Sequence, residues 1–171
     1  MGKLYTALGL MSGTSMDGVD ASIIKSDGER VYSPLLDRYF EYEDKIRQKL
    51  ISIRAKIIVP DHLIEHEGEI KDIEREITLF HANVVNEILN NDKIDVDLLG
   101  FHGQTIYHDS KERISKQLGD GKLLSQLTKK KVVYDFRQND LKNGGQGAPL
   151  TPIFHNLIVN KYLKEELDKS Y

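Results

Sequence analysis

The sequence predicts a mixed α/β domain in which an antiparallel three-strand meander is extended by parallel strands carrying helices. Three observations lead to this class. The chain begins with three apolar runs separated only by short polar breaks containing glycine. From Lys45 onward, segments with helical spacing alternate with short apolar runs, the order that adds parallel strands beside a meander. The composition of the 171 residues, 39% hydrophobic and 30% charged, is that of one ordinary globular core.

The first run, Leu4 to Met11, stops at Ser12-Gly13-Thr14-Ser15-Met16-Asp17-Gly18, and a second, Val19 to Ile24, follows as the other arm of a hairpin. Those seven connecting residues exceed the usual two to five, which suggests a loop that holds something. Asp27-Gly28-Glu29 turns the chain into a third strand, Val31 to Tyr42, with Tyr39, Phe40 and Tyr42 as β-formers. Lys45 to Lys56 is helical, with Ile46, Leu50 and Ile53 in register. Pro60-Asp61 opens a longer helix with Asp61 as its N-cap and Ile70, Ile73, Ile77, Phe80, Val84 and Ile88 facing inward. Its charged outer face, Glu65 to Glu76, is a solvated surface. Val96 to Phe101 reads as a buried strand. Lys122 to Lys130 reads as a short helix with Leu123, Leu124 and Leu127 inward, and Lys131 to Phe136 as another strand. Arg137 to Leu150 reads as a polar loop, and Pro152 belongs to the first turn of a last helix with Phe154, Leu157, Ile158 and Tyr162.

Bulk properties narrow the function. A net charge of -3 with no basic face argues against nucleic acid as the main partner. The absence of cysteine excludes disulfides and thiolate metal sites. No run has transmembrane length and the N-terminus lacks a signal-peptide pattern, so the expectation is a cytoplasmic protein without a membrane partner.

Three polar segments follow strands, and strand-end loops of such sheets converge on ligands. In the first, glycines let the backbone approach a phosphate, while backbone N–H groups and the Thr14 and Ser15 hydroxyls donate to its oxygens. Asp17 cannot touch a phosphate directly but can hold a hydrated Mg²⁺ beside it. No lysine of a Walker A motif is present. The alternative is an ordinary turn, which favours the same residues. The second segment, Gly100 to His108, gathers His102, Gln104 and Thr105, a mixture suited to a hydroxylated or amide-bearing ligand. Two other readings stand beside it: His102 and His108 as metal ligands, and His102 as a structural histidine anchoring the loop. In the third, Arg137 offers a rigid fork of donors for an anion or a transition state, and Asp140 either orients it or bonds a sugar hydroxyl. Gly144, Gly145 and Gly147 imply backbone packed against ligand or against the first hairpin. Here too the alternative is a glycine-rich turn with a surface salt bridge.

Four segments together, G-L-M-S-G-T-S-M-D-G-V-D (Gly9 to Asp20), G-F-H-G-Q-T-I-Y-H (Gly100 to His108), Q-L-G-D-G (Gln117 to Gly121) and D-F-R-Q-N-D-L-K-N-G-G-Q-G-A-P-L (Asp135 to Leu150), resemble the anhydro-N-acetylmuramic acid kinase family in order and spacing. Leu118 stands where that family usually has isoleucine. The resemblance implies a ribonuclease-H-like domain over residues 1–171, one half of the fold shared by actin, Hsp70 and sugar kinases. It further implies ATP and Mg²⁺ as cofactors and conversion of 1,6-anhydro-N-acetylmuramic acid to N-acetylmuramic acid 6-phosphate in cell-wall recycling. Water would open the anhydro bond at C1 while O6 takes the γ-phosphoryl group. Carried over by motif, Gly13, Thr14, Ser15, Met16, Asp17, Gly18, Val19 and Asp20 would line the ATP phosphates, with Asp17 at the metal. His102, Gln104, Thr105, Arg137 and Asp140 would lie at or near the sugar, and Arg137 would also neutralise charge during transfer, its catalytic role.

The family is about twice this long by the size of two-domain kinases. Its second half supplies N-I-G-G-I-A-N-like and D-T-G-P-G-N-like segments, the adenosine pocket and the general-base carboxylate, none of which this sequence contains. The expectation is therefore an N-terminal half that works only when its missing half is supplied by another chain or by a longer product, or else an inactive remnant that binds sugar or phosphate at most. A ribonuclease-H-type nuclease fails on inventory, since only Asp17 and Asp20 are available where several acids must converge. An uncovered interdomain face should expose apolar surface, so poor solubility, self-association as a homodimer, or a complementing partner is expected.

Overall fold

The structure, a computed structural model, describes residues 2–169. Period-two alternation of apolar residues makes the N-terminal meander: β1 (Tyr5–Ser12), β2 (Gly18–Ser26) and β3 (Tyr32–Glu41), all antiparallel. It turns Leu8, Leu10, Val19, Ala21 and Ile23 to one face, where each is at most 2% exposed. Pro34 sits in β3, the edge strand, where a missing N–H costs no ladder bond. Between β2 and β3 the Asp27 carboxylate accepts N–H bonds from Glu29, Arg30 and Val31 at 3.0, 2.9 and 2.8 Å, which pulls its pKa down to about 2.

Helices α1 (Asp44–Lys56), α2 (Asp61–Glu65) and α3 (Glu67–Asp92) cross the covered face. The helix expected from Asp61 is two helices, interrupted at His66, whose φ of -105° and ψ of 18° leave the helical region. Nor does Asp61 cap it: Pro60 holds the cap position with helical dihedrals that its ring favours, and Asp61 is the first helical residue. Along α3, Ile70, Ile73, Ile77, His81, Val84, Val85 and Ile88 face the sheet, while Phe80 is only partly buried. Each fully buried Leu or Ile of this cluster contributes about 1.5–3 kcal/mol.

The chain then enters β4 (Leu98–Asp109), twelve residues long where six were expected. Its first half pairs in parallel with β1 on one side, Leu98 opposite Ala7, and with β6 (Lys131–Tyr134) on the other, Leu98 opposite Lys131. Its outer half continues into a hairpin with β5 (Ile114–Leu118), Gln104 facing Leu118. β5 escaped the sequence reading because Ser115, Lys116 and Gln117 at its centre are poor β-formers; cross-strand pairing and the turn at Asp109 create it. The sheet order is β3-β2-β1-β4-β5 with β6 also on β4, the expected meander extended by parallel strands.

α4 (Gly121–Thr128) starts one residue before the expected helix, its N–H groups at Lys122 and Leu123 bonded to the Asp120 carboxylate at 2.9 Å. Leu124 is buried, but Leu127, expected to face inward, is 39% exposed. α5 (Gln138–Lys142) interrupts the loop expected over Arg137 to Leu150, and α6 (Leu150–Lys169) is the last helix. Among the described residues no helix is long and apolar enough to cross a membrane.

Candidate functional site

β1, β4 and β6 are parallel, so the segments leaving their carboxyl ends emerge on one side of the sheet. Two direct hydrogen-bonded links join them. The Gln104 amide Nε2 donates to the Gly13 carbonyl at 2.9 Å, tying β4 to the first loop. The Arg137 guanidinium donates from Nε and Nη2 to His102 Nε2 at 3.2 and 2.9 Å, tying the β6 exit to β4.

The first loop comprises Gly13 to Asp17, because Ser12 and Gly18 belong to the strands. Five residues are ordinary for a hairpin, so the length argument for an occupied loop falls. Its root is fixed from below. Ser12, 1% exposed, accepts from the Tyr42 hydroxyl at 2.8 Å and donates to His81 Nε2 at 3.2 Å, while His81 Nδ1 donates to the Ile77 carbonyl at 2.7 Å. Every ring nitrogen of His81 is used by the neutral imidazole, and burial drives its pKa down to about 4. Burial also pushes the Tyr42 hydroxyl well above its ordinary pKa. Met16, at φ 57°, and Val19 bury their side chains in the core, so of the residues expected at the phosphates these two can offer backbone only. Thr14, Ser15 and Asp20 are exposed. Gly18 is required by sterics: a Cβ there would collide with the Phe40 carbonyl and lie 2.7 Å from the Tyr39 hydroxyl.

The Ser15 hydroxyl donates to Asp17 at 2.5 Å and holds that carboxylate below its usual pKa, with Arg47 adding to the effect. Arg54 donates to the Thr14 carbonyl at 3.1 Å. Two arginines of α1, seven residues apart and therefore on one helix face, thus flank the loop. That spacing was the available sequence signal for them. Among the described residues no group of three or more His, Asp or Glu side chains could cage a metal. A single carboxylate suits Mg²⁺ that keeps its waters and takes its other oxygens from a nucleotide, so Asp17 fits a hydrated ion.

His102 donates from Nδ1 to the Gly103 carbonyl at 2.7 Å, leaving Nε2 bare to accept from Arg137; burial lowers its pKa, helped by the neighbouring guanidinium. His108 instead approaches the Ser115 hydroxyl at 3.0 Å, so the two histidines do not share a site. Gln104 is fully buried, with Oε1 lacking a partner among the described residues. Thr105 accepts from Gln117 Nε2 at 3.3 Å. A cavity of about 270 Å³ opens beside this cluster, lined by Glu74, His102, Lys116, Gln117, Asp135 and Gln138 among others.

Arg137 Nη1 donates to the Gly147 carbonyl at 2.7 Å, and the Gly147 N–H donates to the Asp140 carboxylate at 2.7 Å. Asp140 therefore acts on Arg137 through Gly147, the orienting role expected of it but by way of the backbone instead of a direct contact. Gly145 and Gly147 pack on the chain itself and not on the first hairpin: a Cβ at Gly145 would meet the Asp140 carboxylate, and one at Gly147 would lie 2.9 Å from the His108 ring. Gly144 faces open space at φ 87°.

Comparison with known proteins places the sequence in a family. The family model described as anhydro-N-acetylmuramic acid kinase matches residues 5–167. The anhydro-N-acetylmuramic acid kinase of Pelagibacter ubique is 60% identical over 161 residues, 94% of this chain and 43% of that protein. The proteins of the same name from Agrobacterium fabrum and Rhizobium etli are 45% and 41% identical, over 91% and 95% of this chain and 42% and 45% of their own lengths. The chain spans less than half the length of these relatives.

Proposed function

The chain belongs to the anhydro-N-acetylmuramic acid kinase family, and on that premise we propose that it forms the phosphate- and sugar-facing half of an ATP-dependent kinase acting on 1,6-anhydro-N-acetylmuramic acid. The product is N-acetylmuramic acid 6-phosphate, in peptidoglycan recycling in the cytoplasm. The observation behind this reading is the continuity of the three strand-end segments, from Gly13 through Gln104 on one side of β4 and from His102 to Arg137 on the other.

In this reading the segment from Gly13 to Asp20, the first loop and the start of β2, takes the nucleotide phosphates, with Thr14 and Ser15 donating from its exposed tip and Arg47 and Arg54 supplying positive charge behind it. Asp17 holds a hydrated Mg²⁺, which when bound offsets phosphate charge. Gln104, Thr105 and Asp140 border the sugar. Arg137 stabilises charge on the transferred group, an electrostatic task in which preorganised donors cost no rearrangement. The adenosine pocket and the base that activates water come from the portion that makes up the rest of the relatives' length, packed over the sheet face that α6 only partly covers. A second reading, a sugar- or phosphate-binding module without turnover, needs only the strand-end segments tied together by Gln104 and by His102 with Arg137.

The test is coupled ADP release with the anhydro sugar, using the chain alone and mixed with the C-terminal remainder of the Pelagibacter relative. Turnover only in the mixture supports the kinase half. Sugar binding without turnover in either arm favours the binding module.

A further inference from the structure

We propose that His102 is a positioning residue for Arg137 and makes no contact with substrate itself; the proposal rests on the reading above, in which Arg137 meets an anionic group. Both ring nitrogens are committed, Nδ1 to the Gly103 carbonyl at 2.7 Å and Nε2 to the Nε and Nη2 groups of Arg137 at 3.2 and 2.9 Å. A neutral imidazole has one donor and one acceptor, so nothing remains for a ligand. The choice of tautomer is forced: a carbonyl at Nδ1 demands a proton there, and that leaves Nε2 as the acceptor a guanidinium needs.

The consequence lies in the arginine. Of its five N–H donors, Nε and one on Nη2 go to His102 and one on Nη1 goes to the Gly147 carbonyl. Two remain, one on each terminal nitrogen, available to a phosphoryl or carboxylate group. His102 and Gly147 thus hold the fork from two directions, and Asp140 fixes Gly147 in turn. A flexible arginine would lose side-chain entropy on binding; this one has already lost it.

Protonated His102 has no acceptor and repels Arg137. The ionisable groups around it are Arg137 and Asp135 after β6, Glu74 and His81 from α3, and Lys116 from β5. Glu74 and Lys116 pair with each other at 2.8 Å, and of the charges around His102 the guanidinium is the one that disfavours its protonation.

The experiment is ¹⁵N NMR of the Arg137 Nε–H in the full chain, with inorganic phosphate as the probe. In the unaltered chain this proton should exchange about tenfold slower than in free arginine, as a hydrogen-bonded charged donor does. His102→Ala should abolish that protection and weaken phosphate binding about tenfold, and His102→Gln, whose amide oxygen can accept, should restore both. Unchanged protection in His102→Ala would overturn the proposal. Lost protection with an unchanged phosphate response would overturn it too, reducing His102 to a structural role. No phosphate response at Arg137 in the unaltered chain sinks the underlying functional reading, with the His102 contact still visible. Should His102→Ala fail to fold, acidification substitutes for it. The protection of the Arg137 Nε–H relative to free arginine at the same pH should then be lost together with His102 protonation, below pH 6.5, and protection that persists through that titration contradicts the proposal.

Discussion

Ser12, Tyr42 and His81 show how a polar loop is held still from the core beneath it. The three form a directional chain, hydroxyl to hydroxyl to imidazole to carbonyl, in the most buried part of the fold. Removing the middle member by Ser12→Ala orphans its neighbours and should cost about 1–3 kcal/mol in urea unfolding. His81 adds a pH dependence. Its folded pKa, about 4, lies below the unfolded 6.5, so the unfolded chain binds the proton first as pH falls. Its share of stability is whole above pH 6.5 and declines by roughly 3 kcal/mol down to about pH 4; His81→Phe should flatten that part of the stability profile. Gly18→Ala, which drives a methyl into the Phe40 carbonyl, should destabilise by about 1–3 kcal/mol in the same measurement. The motif residues themselves could be read from the sequence, since glycine, hydroxyl and carboxylate types advertise their chemistry locally. Tyr42 and His81 could not, because they are thirty and sixty-nine residues from Ser12 and nothing near either names the partner.

Elements turned out legible in proportion to how far their own residues decide them. The meander and α1 follow from apolar periodicity with limits within about two residues of the pattern, and α3 follows it too, apart from the break at His66 and an end four residues past Ile88. β5 and the outer half of β4 exist only because they pair with each other, a condition their polar centres do not announce. α5 is a single turn closed around Arg137 and Asp140, set by the bonds of Gly145 and Gly147 to Asp140. At this scale α4 offers a clean test. Asp120→Ala removes the acceptor for two N–H groups at its start and should cost about 1 kcal/mol by thermal unfolding, leaving the Arg137 cluster untouched.

At the scale of the molecule, one sheet face is packed by α1 and α3 and the other is largely open. Met11 (44%), Tyr39 (53%) and Val133 (48%) lie exposed on the strands, and Leu150, Ile153, Val159, Tyr162 and Leu163 on α6. A groove of about 500 Å³ separates α6 from Tyr5, Ala7, Ile24 and Leu98. Apolar area on this scale marks an interaction surface. Sedimentation velocity should show the chain self-associating alone and forming a defined one-to-one complex with the remainder of the Pelagibacter relative; a stable monomer indifferent to that partner would refute the docking. The decisive measurement is an amide shift map of the ¹⁵N-labelled chain within that complex, titrated first with ATP and Mg²⁺ and then with the anhydro sugar. The account predicts that nucleotide moves Gly13, Thr14, Ser15 and Gly18, and that sugar moves Thr105, Arg137 and Asp140. Nucleotide shifts confined to the α6 groove, with the loop after β1 unmoved, would contradict it.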